Sequence, residues 1–417
     1  MNKTKTSGKV KKLRIYSVLA FAFMLVLVLV LMPRQSSGMP EIENKLLITT
    51  IGIDKATDGY SVSAVVVMPQ ENHGGSVSKI EADAEGKSLS EALEQMSIKM
   101  GKPLELGLCG LVIVGDTFGK EAITPHLSYL LSSGKIIPGA FLVASTDGKS
   151  AKKAIELANK LSDVTSNVLS KLIEYNAVGS NLPIVSMLRF LSESNRKGES
   201  SFMPCLEIDE GDAEQGNEKG ESSGGGESSG GSFGGTGTGR KSEIRSLGKI
   251  AVYKSGVRIA VADEEITRGY TWSDRKSTLG LITLDDFIVR DKNYGAVHCQ
   301  MLAKKYSIKT EIATGPEVTV NVKVKLALEE RSKLGDLVRK GMATEREIED
   351  ALRSGFSKEI ENEIIAATEF MKSIGCDAFG FEDDMYRRRF RNYSAYENKD
   401  TVLSDLKLKC NIKIAIE

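Results

Sequence analysis

Three histidines, His73, His126 and His298, are the residues best suited to acid–base or metal chemistry, and they lie far apart in the chain. None belongs to an H-E-x-x-H, a G-x-S-x-G or another nucleophile motif. Each therefore reads as a structural or surface histidine. Glu382, Asp383 and Asp384, with Asp377 close by, gather carboxylates, but without the spacing of an EF-hand loop they read as a solvated turn. Cys109, Cys205, Cys299, Cys376 and Cys410 contain no C-x-x-C pair, so they read as buried thiols, not as a zinc site or a disulfide framework. No catalytic residue, metal site or cofactor is expected.

The densest cluster with binding chemistry is basic and aromatic: Tyr386, Arg387, Arg388, Arg389, Phe390 and Arg391, with Tyr393 beyond. Arginine makes bidentate contacts to carboxylates and phosphates, and aromatic rings supply contact area. These six are the candidate contact with a partner or with anionic lipid. The competing reading is a solvated face beside core aromatics. Just upstream, Asp377 to Phe381 reads as a tight turn, with Gly380 where backbone angles oppose a side chain.

The elements that must position this cluster alternate in period, which is the pattern of sheets with helices packed on them. Leu46 to Ile53 and Tyr60 to Met68 read as a hairpin around Asp58-Gly59. A helix starts near Ser88 or Ser90, carries Leu89, Leu93, Met96 and Met100, and stops at Gly101. Strands follow at Leu108–Val114 and Ile137–Ala144, with helices at Thr124–Leu131, Ser150–Lys160 and within 167–190. Residues 211–240 collapse to Gly, Ser and Glu and lack the apolar content to offset ordering, so they read as a flexible loop or linker. Beyond it come two short strands around Ser255-Gly256, a small helix or turn at Thr283–Val289, and an alternating strand at Val318–Leu328. Thr344 and Glu347 open one long helix to Ser373, with Gly355 as a candidate kink. The alternation at Leu406–Ile416 is the last strand.

At 417 residues the chain has room for two or three domains, and 56 basic against 56 acidic residues argues against a nucleic-acid partner. Lys3, Lys5, Lys9, Lys11, Lys12 and Arg14 precede an uncharged run at 15–32 that is apolar but for Ser17. As a helix that run spans about 27 Å, close to the hydrocarbon thickness of a bilayer. It reads as a transmembrane anchor or a signal; its length, beyond that of a usual cleaved signal core, favours an uncleaved anchor with residues 1–14 cytoplasmic and the body outside. The fold class expected is mixed α+β: an anchor, a domain at 46–207, a linker at 208–245, and a domain at 246–417 with a long helix on a sheet.

This order of segments resembles the Ger(x)C family, the C subunits of nutrient germinant receptors in endospore-forming bacteria. Ile51-Gly52-Ile53-Asp54-Lys55 with Asp58-Gly59-Tyr60 resembles the family's opening hairpin. Gly86 to Leu93 resembles its G-x-S-x-x-E-A-L helix start, and Leu106 to Gly115 occupies its third strand. Asp377 to Phe381 with Tyr386-Arg387-Arg388 resembles its D-x-x-G-F and basic-aromatic stretch. The chain departs in having no cysteine between the apolar run and Cys109, no histidine in the third strand, basic residues after the second helix reduced to Lys135, and an inserted Gly-Ser stretch. The resemblance implies a non-enzymatic subunit of the spore inner membrane, required for nutrient-triggered germination, that assembles with integral A-type and B-type subunits. An extracytoplasmic envelope enzyme or scaffold is the alternative reading.

Overall fold

Apolar β-branched runs form the interior of a first sheet whose central strands are buried on both faces. The computed structural model of the chain describes residues 22–24, 45–69, 77–160, 183–209, 243–245, 248–274, 280–329, 331–396, 398 and 401–417. Strands β1 (Leu46–Ala56) and β2 (Gly59–Pro69) form the expected antiparallel hairpin, with Ile53 opposite Val62. β3 (Val77–Gly86) extends it. Helix α1 (Leu89–Met100) begins where the Ser88 hydroxyl accepts the Glu91 N–H and ends at Gly101 in the left-handed region, as read from the sequence. Then come β4 (Leu104–Glu105), β5 (Leu111–Val114), α2 (Asp116–Gly119), α3 (Thr124–Ser132), β6 (Phe141–Ser145), α4 (Ala151–Lys160), α5 (Met187–Ser194) and β7 (Ser200–Asp209). β8 (Glu243–Arg245), β9 (Ile250–Lys254) and β10 (Val257–Ala262) complete the sheet.

Its order is β10-β9-β7-β6-β5-β1-β2-β3, with β1, β5, β6 and β7 parallel at the centre and antiparallel hairpins on the flanks. Alternate residues of β5 serve different cores. Val112 and Val114 face the core of α1, α3 and α5, whereas Leu111 and Ile113 face α4 through Ala151, Ala154 and Ile155. Helices therefore cover both faces. The N-terminus of α4 is held by Asp54 at the end of β1, whose carboxylate accepts the N–H groups of Ala151 and Lys152 at 2.8 and 3.0 Å.

The first sheet crosses the sequence-based boundaries in two places. β9 and β10, assigned above to the second domain, belong to the first sheet, because the buried run Ile250 to Tyr253 needs a strand on each side and finds β7 and β10. The expected linker also starts and ends in a strand pair, Glu207–Asp209 with Glu243–Arg245. Residues 210–242 and 161–182 lie outside the described residues. So does the anchor call at 15–32, except 22–24, which are helical and exposed. Among the described residues no helix is long and apolar enough to cross a membrane.

The second sheet has one covered face. Helix α6 (Glu264–Trp272), capped by Asp263, leads to β11 (Leu281–Leu284), β12 (Ile288–Val289) and β13 (Lys292–Asn293). The helix or turn expected at Thr283–Val289 is a bend at 285–287 between β11 and β12, from which Ile282, Leu284 and Val289 enter the core. β14 (Val297–Glu311) and β15 (Glu317–Leu328) form a long antiparallel hairpin. After α7 (Arg331–Arg339), α8 (Glu345–Ser373), α9 (Phe381–Arg388) and α10 (Phe390–Ala395), strand β16 (Lys407–Ile416) pairs parallel to β15. Parallel neighbours need a crossover, and α8 supplies it.

The capping box Thr344/Glu347 starts α8, which runs unbroken through Gly355 for 29 residues. Ile348, Leu352, Phe356, Ile360 and Ile364 pack on Val318, Val320, Val322, Val324 and Leu326. Each such buried side chain contributes about 1.5–3 kcal/mol relative to exposure, against about 0.5–2 kcal/mol for a cap. Packing thus fixes where the helix lies, and the cap only where it begins. The last turns of α8 leave this core, and Met371 is buried with the first sheet. α6 crosses α8 at Gly269, where a Cβ would stand 2.0 Å from the Glu363 carbonyl oxygen. Glu363 itself accepts from the Trp272 indole at 2.5 Å and from Arg268 Nε at 2.8 Å. Both sheets thereby belong to one compact unit, Leu46–Glu417.

Candidate functional site

The i,i+4 spacing of Arg189 and Glu193 on α5 puts both on one face, with Nε 3.0 Å from Oε1. Arg189 Nη1 also donates to Asp274 Oδ2 and to the Ile184 carbonyl, both at 3.0 Å, and its guanidinium lies 5.0 Å from the Phe202 ring centroid. All three charged side chains are largely buried. Burial pushes the Glu193 carboxyl above its ordinary range, while Arg189 is held charged by its carboxylate partners. Beside them, α6 contributes Tyr270, which donates to the Ala378 carbonyl at 3.4 Å, then Ser273 and Asp274. Lys304 of β14 closes the end of α6 by donating to the carbonyls of Thr271 and Asp274, and burial pushes its ammonium down to about 8.

Arg189, Glu193, Tyr270, Ser273 and Asp274 form one wall of a cleft of about 650 Å³ between the two sheets. The opposite wall is Tyr306 and Ile308 of β14 with Asp383, Asp384, Arg387 and Arg388 of α9. Four arginines (Arg189, Arg196, Arg387, Arg388) and four carboxylates (Glu193, Asp274, Asp383, Asp384) line it, so the lining has no net charge. Three buried polar atoms on these residues have no hydrogen-bond partner among the described residues: Glu193 Oε2, Arg196 Nε and Ser273 Oγ. Arg196 uses Nη2 to bind the Ala378 carbonyl at 2.7 Å.

The turn read from Asp377 to Phe381 is what orients α9. The buried Asp377 carboxylate accepts the N–H groups of Gly380, Phe381 and Glu382 at 2.9, 3.1 and 2.7 Å, and Gly380 has φ of 76°. The acidic run is engaged too. Asp383 and Asp384 pair with Arg387 and Arg388, each at 2.8 Å, and Glu382 accepts the Tyr393 hydroxyl at 2.6 Å.

The six residues of the basic-aromatic cluster are divided between roles. Arg387 and Arg388 line the cleft, and Arg389 reaches Glu311 of β14 at 3.4 Å. Tyr386 packs edge-on against Phe390 and Tyr393, with ring centroids 5.4 and 5.5 Å away. Phe390 is 55% exposed and Arg391 is exposed. The described histidines are kept apart: His126 meets the Tyr60 hydroxyl at 3.0 Å in the first sheet, and His298 meets Thr283 at 2.9 Å in the second. His73 lies outside the described residues. Four of the cysteines are buried and Cys410 is half-buried, and their thiols are pushed up to between about 11 and about 12.

Arg189, Glu193, Arg196, Ser273 and Asp274 escaped the sequence reading. The Arg189/Glu193 spacing was a visible signal for one ion pair, but nothing local tells that Asp274, 85 residues on, completes it.

Residues 38–208 match the spore germination protein N-terminal domain, and residues 248–417 match the spore germination B3/GerAC-like C-terminal domain. The structure is similar to one described as the crystal structure of the GerBC protein, at 14% identity and a TM-score of 0.47, covering 88% of this chain and 96% of that one. No curated protein matches.

Proposed function

This chain belongs to the GerAC-like, or Ger(x)C, family of spore germination proteins, and on that premise we propose that it is a non-enzymatic subunit of a nutrient germinant receptor. The observation that carries the reading is that both halves of the body, one on either side of residues 209–247, match the family's two domains in order. Residues 15–32 anchor the chain in the spore inner membrane, with 1–14 inside and the body extracytoplasmic. The support is the basic flank and the uncharged, largely apolar run. Tethering then raises the effective concentration of the body beside integral A-type and B-type subunits.

Within the predicted cluster, Tyr386, Phe390 and Arg391 form the partner contact. An exposed Phe beside a Tyr and an Arg has the composition of an interface anchor. Behind it, Arg387 and Arg388 pair along α9 with Asp383 and Asp384, and Arg389 ties the end of the helix to Glu311 of β14.

The test is germination of spores deleted for this chain, followed by loss of refractility and dipicolinate release across amino acids, sugars and salts. Loss of response to one nutrient class, restored by the intact chain but not by a Phe390→Ala, Arg391→Glu double variant, is the expected outcome. Unchanged germination to every nutrient, alone and with any paralogue deleted, would overturn it.

A further inference from the structure

The open face of the second sheet carries a charge excess that the fold itself does not answer. β14, β15 and β16 pair in a register that sets Lys305, Lys323 and Lys413 in one row across three strands, Lys309 and Lys409 on either side of Thr319 in another, and Lys407 beside Glu317. Like charges directly opposite one another in a sheet are unfavourable. Glu317 answers Lys409 and Glu417 answers Lys325, but Lys305, Lys309, Lys323, Lys407 and Lys413 are exposed and have no ion pair among the described residues. In a chain with 56 basic and 56 acidic residues, this is a local asymmetry. Lysines commonly guard an edge strand against stray pairing, which accounts for β16, but β14 and β15 are interior strands of this sheet.

The polar residues between these lysines are Ser307, Thr319, Asn321 and Asn411, with no aromatic ring or arginine among them. The usual anchors of a protein interface and the stacking platforms of single-stranded nucleic acid are therefore both missing. Lysine is a hydrated point charge that needs no matching geometry, and a field of such charges is what an anionic bilayer surface attracts. Lys305, Ser307, Asn321 and Lys323 border a depression of about 490 Å³, where ammonium, hydroxyl and amide donors can meet phosphate oxygens. By the anchor reading, residues 33–44 are the spacer between bilayer and body, and fully extended they reach at most about 40 Å. We infer that the open face of the second sheet lies on the anionic headgroups of the membrane, with Lys305, Lys323 and Lys413 at the centre of the contact. The contact rests on the anchor reading for its setting and adds what a tether leaves open, namely which side of the body meets the lipid.

The full chain in nanodiscs is treated with an amine-acetylating reagent, and the rate at each lysine is read by mass spectrometry. In discs containing one-third phosphatidylglycerol, Lys305, Lys323 and Lys413 should react at least threefold more slowly than in phosphatidylcholine discs, while the exposed Lys87 of the first domain reacts equally in both. At about 1 M salt, where the screening length falls to about 3 Å, the difference should vanish. Lys305→Gln, Lys323→Gln and Lys413→Gln together, all at exposed positions, should leave the circular dichroism unchanged and remove the protection of Lys309 and Lys407. Equal rates in the two discs, slowing that survives salt, or a folded triple variant still protected at Lys309 and Lys407 would overturn the inference. So would the same slowing produced in phosphatidylcholine discs by inorganic phosphate, which would make the face a small-anion site. Chain that stays on phosphatidylcholine discs in high salt, with its lysines unprotected by anionic lipid at low salt, keeps the anchor and loses the face. Chain washed off those discs by salt but protected on anionic ones does the opposite.

Discussion

The two sheets solve burial differently. The ten-stranded sheet is covered on both faces, so strands such as β5 are apolar at every position, and Leu111, Val112, Ile113 and Val114 are all inaccessible. The four-stranded sheet is covered only by α8 and its neighbours. Its other face presents Lys305, Lys323 and Lys413 directly opposite one another across three strands, and none has an ion pair among the described residues. The comparison teaches that tolerance to charge in this molecule is a property of the layer, not of strand structure as such.

The largest test of that contrast is Ile113→Asp. It buries an unpaired carboxylate under α4 and should cost more than about 4 kcal/mol, abolishing cooperative urea unfolding near neutral pH. Next is Gly269→Val, which forces a side chain into the Glu363 backbone where α6 meets α8. A loss of roughly 2–4 kcal/mol is expected, with the sheets then melting in two transitions by calorimetry. A single transition of unchanged midpoint would show that the α6–α8 crossing does not tie them.

Acid should separate the sheets in sign. Glu347, bonded to Arg290 and to the Thr344 cap, is held down to about 2, below its ordinary 4.5. Its contribution is therefore complete above about pH 4.5 and lost as pH falls through 2. Asp54 in the first sheet is pushed up by burial, so its contribution is present below its ordinary 3.8 and lost as pH rises through its folded value. Urea midpoints between pH 2 and 7 should show Glu347→Gln flattening the acid-side loss and Asp54→Asn flattening a slope of the opposite sign. The smallest effect is Lys323→Glu, which removes like-charge contact with Lys305 and Lys413 and should stabilise by roughly 0.2–1 kcal/mol at low salt, vanishing at high salt.

What could be read beforehand follows the same division. Signals carried by a few neighbouring residues were legible: the Ser88 start and Gly101 stop of α1, the Thr344/Glu347 box, the Gly380 turn, and the alternation of Val318 to Leu328. β14 was not, because a register shift between Met301 and Ala303 breaks its alternation. α6 went unread although Asp263 caps it and Glu264 and Glu265 follow, since three of its five buried residues are Thr267, Gly269 and Thr271. The capping duties of Asp54 and Asp377 explain physically why the motifs around them invite recognition, but Asp54 acts on a helix 97 residues away, a pairing only the fold reveals. For the same reason the basic-aromatic run was found and the cleft that two of its arginines line was not.

Helix α8 is also a mechanical element. At about 1.5 Å per residue its 29 residues make a rod of about 43 Å, seated at one end among Ile348 and Leu352 and at the other beside Met371 in a different core. Packed cores yield in steps, not continuously. A push along the rod must therefore either be resisted by both cores or shift the two together, so the two sheets share one mechanical load.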